Sequence, residues 1–129
     1  MFWCFHCYAV NGHPNGPCDA CGKPVEAPAG LSWVSSLTWA LRHPDGDRAV
    51  LAARTLGRLR ARESVPALCE AVRSGHDVYL RAAALRSLIA IEGTEVLRPW
   101  LAELSQGAPV TVREIARQAL EEAADADRG

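Results

Sequence analysis

The sequence of 129 residues has little lysine, methionine or aromatic content: one Lys stands against 13 Arg, Met occurs once, and aromatic residues make up 6%. No apolar run approaches the roughly 18–20 residues that a membrane span needs. The N-terminal MFWCFHC has neither the basic nor the apolar region of a signal peptide. The net charge of -1 exerts no global attraction on nucleic acid or anionic membranes. We therefore expect a cytoplasmic protein without a membrane segment, and the arginine excess is typical of GC-rich bacterial genomes.

The sequence also lacks the motifs of the common enzyme classes. It contains no glycine-rich phosphate loop and no Gly-x-Ser-x-Gly segment. His43 and His76 occupy equivalent turns between helical segments, which favours turn residues over a catalytic pair. No His or carboxylate is spaced to activate Cys69 as a nucleophile. These absences predict a protein that is not an enzyme and has no small-molecule substrate.

What is present divides the chain near residue 30. Apolar residues make up 49% and charged residues 22%, so the chain has the composition of a folded protein. Four of the five Cys and four of the ten Gly lie in residues 1–30, whereas the remainder is rich in Ala, Leu and Arg. The predicted organisation has four parts: a finger at 1–26, a linker at 27–31, helical repeats at 32–124 and a flexible tail at 125–129.

Four cysteines in the first part have the spacing C-x2-C-x10-C-x2-C. They are Cys4, Cys7, Cys18 and Cys21. Each C-x2-C pair places two thiolates in one turn, and two pairs complete the tetrahedral sulfur site that structural zinc prefers. Thirty residues cannot build an adequate core, so bound Zn²⁺ would supply the folding free energy. Two disulfides in an oxidising compartment, an iron–sulfur cluster and a rubredoxin-like iron site are the alternatives.

The spacing around these cysteines extends to F-x-C-x2-C-x3-N-x6-C-x2-C from Phe2 onward. This resembles the Ran-binding-protein type of zinc finger, which has Trp at the first position, over residues 2–22. The resemblance implies that Asn11 braces the two cysteine knuckles. Members of that family bind ubiquitin or single-stranded RNA. Here Tyr8 and Ala9 replace the Thr-Phe of the ubiquitin binders, and the middle loop GHPNGP has no Arg of the kind that RNA binders use.

Other side chains of the finger admit two interpretations. Trp3, Phe5 and Tyr8 surround the first knuckle, where they either pack as a miniature core or form a stacking platform for bases. Packing is the favoured interpretation, with Trp3 and Tyr8 as the candidate binding residues. With four cysteines already spaced for a metal, His6 and His13 are predicted to be exposed loop residues.

The second part repeats itself with a period of 32 residues. The stripe of Leu80, Ala84, Leu88 and Ile91 has helical spacing and recurs one period away on either side, with a weaker copy near Trp33. Six helices are predicted, at 32–43, 47–60, 64–73, 77–91, 95–105 and 109–124. The predicted N-caps are Asp47, Ser64, Asp77 and Thr94.

Pro99 falls inside the fifth predicted helix, so that helix should be kinked or should start late. Trp100 and Cys69 align with Leu positions of the repeat and are predicted to be core residues.

The paired helices carry the pattern Asp-x-x-Leu-Arg-x-x-Ala-x-x-x-Leu from Asp77 onward. This resembles HEAT repeats of the short, phycobilisome-lyase-like type, over most of residues 32–124. The resemblance implies a mainly α fold, a short HEAT-like α-solenoid of about six helices preceded by the small zinc finger. It also implies a ladder of Asp and Arg side chains between neighbouring repeats. Candidates for that ladder are Asp45, Asp77, Arg81 and Arg113.

The function predicted from these features is that of a zinc-binding adaptor or scaffold. HEAT-type solenoids offer a concave surface to partners, so an unidentified protein is the expected partner. Arg54 and Arg86 occupy the same repeat position, with Arg58 nearby, and are the candidate binding residues of the helices. The alternative is RNA or DNA binding, in which the finger aromatics and this arginine stripe contact bases and phosphates.

Overall fold

The computed structural model describes residues 1–128. Contacts within the chain divide it into two compact units, one spanning Met1–Trp33 and a second that begins at Val34. The predicted organisation into finger, linker, repeats and tail remains a prediction. No helix among these residues is both long enough and apolar enough to cross a membrane.

The first unit is built around one short hairpin and a small core. Strand β1, Phe2–Trp3, pairs antiparallel with strand β2, Val10–Asn11. An isolated bridge joins Pro17 to Pro24 further along the chain. The buried apolar residues of this unit are Cys4, Cys18 and Val25, with Ala9 packed against them. So small a core leaves the unit dependent on some other source of stability.

The second unit is mainly helical, as predicted, and the short α-solenoid is confirmed. A 3-10 turn, Arg62–Ser64, precedes its third helix. The helices are α1 (Trp33–Ala40), α2 (Gly46–Leu59), α3 (Val65–Ser74), α4 (Val78–Glu92), α5 (Thr94–Gly107) and α6 (Val110–Arg128). Helix α6 continues to Arg128, whereas the sequence predicted its end at 124. No Gly or Pro interrupts residues 121–128, so nothing in the local sequence stops the helix earlier.

Helix α4 occupies the centre of this unit. It packs against α2, α3 and α6, and α5 packs against α6. The predicted stripe is confirmed as core, since Leu80, Ala84, Leu88 and Ile91 are all buried. Helix α1 has no buried residue, and Trp33 at its start is 64% exposed. The weaker repeat copy in the sequence therefore corresponds to the most exposed helix of the unit.

The start of each helix shows which caps were predicted correctly. The Asp77 carboxylate caps α4 by accepting from the backbone N–H groups of Tyr79 and Leu80. For α2 the N-cap is Asp45 rather than Asp47, because the chain turns helical one residue earlier, at Gly46. Ser64 stands at the start of α3, but its hydroxyl donates to the Ala61 carbonyl instead of capping.

The fifth helix and two core predictions differ from expectation. Helix α5 starts at Thr94, behind Gly93 as its N-cap, so Pro99 lies inside the helix and does not delay its start. Trp100 and Cys69 are half-buried at the edge of the core rather than fully buried. The guanidinium of Arg73 lies over the Trp100 ring, 5.6 Å from its centroid, which suits a partly exposed indole.

The predicted ladder residues make other contacts. Arg81 donates from Nε to the Gly75 carbonyl at 2.8 Å, whereas the equivalent Nε of Arg113 is buried and has no hydrogen-bond partner. The contact of Asp77 with the preceding repeat is made at Gly46, where an added Cβ would lie 2.6 Å from the Asp77 carboxylate. Glycine at this position therefore lets the carboxylate approach the start of α2.

Candidate metal centre and arginine groove

The four predicted cysteines converge on one point. Their sulfur atoms all lie within 4.8 Å of one another and can hold a metal ion. The Sγ atoms of Cys4 and Cys21 are 3.8 Å apart, and those of Cys7 and Cys18 are 3.7 Å apart. A tetrahedron with sulfur about 2.3 Å from its centre has edges of about 3.8 Å. The sulfurs are therefore placed as metal ligands, at separations far beyond the roughly 2.05 Å of a disulfide.

The two C-x2-C knuckles share one hydrogen-bonding pattern. The carbonyl of Cys4 accepts from Tyr8 N–H, and the carbonyl of Cys18 accepts from Gly22 N–H, both at 2.9 Å. In each knuckle the N–H two residues after the first Cys points at its sulfur: His6 reaches Cys4 at 3.3 Å, and Ala20 reaches Cys18 at the same distance. Such N–H groups stabilise negative charge on the sulfur.

Each knuckle ends in a residue with left-handed backbone. Tyr8 has a φ of 66° and Gly22 a φ of 76°. Glycine adopts this conformation without penalty, whereas a side chain is strained there. The knuckles thus have the same geometry with different residues at the same turn position.

Asn11 joins the two knuckles, in the role that the resemblance implied. Its side-chain amide donates to the Ala9 carbonyl at 3.2 Å and to the Cys18 sulfur at 3.4 Å. Its side-chain oxygen accepts from Asp19 N–H at 3.0 Å. The residue is buried, with 2% of its surface exposed, so one amide holds both halves of the cysteine cluster.

The thiols of the cluster differ in pKa. Hydrogen bonds from the Cys21 backbone and the Asn11 amide lower the pKa of the Cys18 thiol to about 6. A backbone hydrogen bond from Ala9 lowers the pKa of Cys7, but desolvation and the neighbouring sulfurs outweigh it and raise that pKa to about 12. Four thiolates this close repel one another, so a bound cation would be needed for all four to ionise.

The histidines of the finger are engaged away from the sulfurs. His6 Nδ1 lies 2.9 Å from the Pro24 carbonyl, and His13 Nδ1 lies 2.7 Å from the Asn15 carbonyl. Each Nδ1 therefore carries the proton that it donates to the carbonyl, and neither histidine is among the residues whose ligand atoms converge within 4.8 Å of one another. The geometry thus offers a ligand set of four sulfurs.

The helical unit contains a separate groove lined by arginines. Residues of α2, its C-cap Arg60, α4 and Thr111 of α6 line an open groove with a volume of about 570 Å³. Four of its lining side chains are cationic. They are Arg54, Arg58, Arg60 and Arg86. The structure therefore brings the three predicted helical binding residues to one concavity. The other two, Trp3 on β1 and Tyr8 after the first knuckle, belong to the first unit.

The groove arginines differ from several others in their surroundings. Five arginines have a carboxylate within 4.0 Å: Arg48, Arg62, Arg98, Arg117 and Arg128. Among residues 1–128, none of the four groove arginines has such a carboxylate, and no Asp or Glu lines the cavity. Tyr79, which is 72% exposed, stands at the same groove. The sequence analysis missed this residue, although its spacing from Arg86 by two helical turns was a usable signal.

Comparison with known proteins identifies the helical unit. A protein-family model described as HEAT repeats matches residues 34–121. None of the curated proteins compared with the chain matches it, and neither does any solved structure. The matched segment covers more than half of the chain and contains α2 to α5 whole. The chain therefore belongs to the HEAT-repeat family.

Proposed function

We propose that this chain is a non-enzymatic adaptor in the cytoplasm, in which a zinc finger is joined to a HEAT-repeat scaffold that binds another protein. One observation carries the proposal: α2 and α4 present an open groove of arginines and an exposed tyrosine that the fold does not use. The core is formed on the opposite sides of these helices, by residues such as Leu56 and Leu88. Arginine and tyrosine are enriched in protein–protein interfaces, so their clustering in one groove favours a binding surface.

We propose Zn²⁺ as the metal of the cysteine cluster. Four sulfurs leave no open coordination position, which favours a structural role, and zinc is the usual ion for such closed sites. Iron takes the same ligands. Elemental analysis of the purified chain should find a single zinc ion per chain and no visible absorption. A coloured protein that contains iron would contradict this assignment.

We propose that the finger is of the Ran-binding-protein type, on the strength of its spacing and of the Asn11 brace. The sequence departs from both ligand-binding patterns of that family, at Tyr8-Ala9 and in the GHPNGP loop. The finger is therefore assigned a structural role, without a ubiquitin or RNA ligand of its own. The phycobilisome-lyase-like subtype is likewise proposed for the repeats on the pattern that follows Asp77.

The adaptor role is tested by affinity purification of the tagged full chain from its native host, with and without nuclease. We expect one protein to co-purify in stoichiometric amount. It should still co-purify after nuclease treatment and when the tag is moved to the other terminus. Failure to recover any protein under mild conditions would count against the adaptor role. Material lost on nuclease treatment would favour the second candidate.

Nucleic-acid binding is that second candidate, and the arginine groove is the observation in its favour. Arginine side chains neutralise phosphates, and a tyrosine can stack on a base. It predicts binding of single-stranded oligonucleotides that weakens steeply between about 50 and 200 mM salt. Binding that is absent at the lower salt concentration would exclude it.

A further inference from the structure

We infer that the arginine groove binds an acidic segment of a partner protein. The inference rests on the proposed adaptor function and specifies the chemistry of the partner. It concerns the groove of the second unit alone, with Arg54, Arg58, Arg60 and Arg86 as the recognising side chains.

The groove concentrates positive charge that nothing in the described part of the chain neutralises. The whole chain has 15 Asp and Glu against 14 Lys and Arg, so local charge of one sign does not follow from composition. Arg54 and Arg58 are one helical turn apart on α2, where like charges repel. Glu122 of α6 lines an adjoining cavity with Arg86, but the two do not come within 4.0 Å. An anionic ligand would relieve this repulsion.

Arg60 adds a second indication. It ends α2 with a φ of 51°, in the left-handed conformation that favours glycine. The position holds an arginine instead, and its side chain lines the groove. A charged side chain thus occupies a position whose backbone conformation favours Gly.

The floor of the groove decides between classes of anionic ligand. It is formed by small residues, among them Gly57, Ala82, Ala83 and Ala90. Small apolar side chains of a peptide can pack on such a floor while its carboxylates reach the arginines on both sides. Guanidinium groups bind carboxylates in a bidentate manner. A sugar–phosphate backbone gains nothing from an apolar floor, so the lining favours a peptide over a nucleic acid.

The test uses the zinc-loaded full chain and fluorescence anisotropy with labelled probes. The probes are a short peptide of alternating glutamate and alanine, the same peptide with glutamine for glutamate, and an oligothymidylate of equal charge. The groove variant is Arg54→Gln with Arg86→Gln. The matched control is Arg48→Gln with Arg117→Gln, because these exposed arginines lie outside the groove and the variant has the same net charge.

The glutamate peptide is expected to bind and the glutamine peptide is not. Loss of two charge-assisted contacts should weaken binding by at least about tenfold in the groove variant, while the control variant stays within about twofold of the wild type. Both variants should retain the wild-type circular dichroism spectrum and melting temperature, since all four side chains are exposed.

Four results would overturn the inference. Equal loss in the groove and control variants would mean that the probes sense net charge alone. Tighter binding of oligothymidylate, with the same dependence on the groove arginines, would make the groove a nucleic-acid site. Self-association that the groove variant abolishes would identify a second copy of the chain as the occupant. A cellular partner captured equally by wild type and groove variant would refute the groove assignment and leave the adaptor function standing.

Discussion

The hydroxyl of Ser87 on α4 donates a hydrogen bond of 2.6 Å to the backbone carbonyl of Ala53 on α2. The contact is possible because residue 57, one turn after Ala53, is glycine. A Cβ added at Gly57 would lie 2.4 Å from the Ser87 hydroxyl and 2.7 Å from its Cβ. The two helices therefore meet through backbone and a serine, without a large side chain between them.

Gly57→Ala is expected to destabilise the helical unit, although alanine has a higher helix propensity than glycine. Alanine in a helix interior is ordinarily favoured over glycine by about 1 kcal/mol, but here the methyl group would force α2 and α4 apart at a cost of about 1–3 kcal/mol or more. Urea denaturation followed by circular dichroism measures the change. Gly107→Ala is the control, because a Cβ there meets no atom within 4 Å. Stabilisation by Gly57→Ala would show that the helices do not approach this closely.

Asn11→Ala is expected to weaken metal binding by about 10- to 100-fold, as loss of an outer-shell hydrogen bond typically does. The substitution removes the donor to the Cys18 sulfur and the acceptor of Asp19 N–H. Competition with a chromophoric chelator gives the affinity. Asn15→Ala serves as the control, since Asn15 is exposed and its hydrogen bond to His13 uses the backbone carbonyl. Equal affinities of the two variants would contradict the bracing role.

Gly22→Ala is expected to destabilise the metal-bound finger by about 1–2 kcal/mol, solely because of backbone strain. A Cβ at this position meets no atom within 4 Å, but the φ of 76° is one that alanine rarely adopts. Gly12→Ala is a matched control, since a Cβ there is equally unobstructed and its φ lies outside the left-handed range. The rate at which a chelator removes the metal should rise for Gly22→Ala alone.

Acidification is expected to destabilise the helical unit through His43. This residue is 4% exposed, and its Nδ1 accepts a hydrogen bond from Asp45 N–H at 2.9 Å. Burial, and then the charge of Arg48, lower the pKa of His43 below its usual 6.5. The unfolded chain therefore takes up the proton first, so the stabilising contribution is present above pH 6.5 and is lost as the pH falls below it.

The free energy of unfolding, measured from pH 7.5 to pH 5 by circular dichroism, tests this expectation. His43→Asn should reduce the pH dependence, whereas His76→Asn, which removes only the smallest of the contributions that lower the pKa of His43, should change it much less. A pH dependence that His43→Asn does not alter would assign the effect to other groups.

The features predicted well from the sequence depend on local periodicity or spacing. The stripe through Leu80 and Leu88 fixed the helical register, because burial recurs with the helical period. The spacing of the cysteine pairs predicted that their sulfurs converge, because a C-x2-C turn allows the two sulfurs only a few relative positions. The cap at Asp77 followed from the short reach of an Asp side chain to its neighbouring N–H groups.

The features that the sequence did not predict depend on contacts between helices. The sequence around Gly57 does not show whether this glycine allows two helices to approach closely or only makes the chain flexible. Its role depends on Ser87, which lies on another helix. Tyr79 was not assigned to the groove, since its exposure depends on how α4 packs against α2 and α6. The edge position of Trp100 on α5 likewise involves a contact with Arg73, a residue of α3.

The close contact between Gly57 of α2 and Ser87 of α4 has a consequence for the evolution of this protein. Gly57 and Ser87 set the separation of the two helices, and that separation sets the spacing between the arginines of α2 and Arg86 of α4. A larger residue at position 57 or 87 would thus widen the groove and alter its ligand selectivity, although every charged residue would be unchanged. Related chains with identical arginines but different residues at 57 and 87 would then recognise different partners.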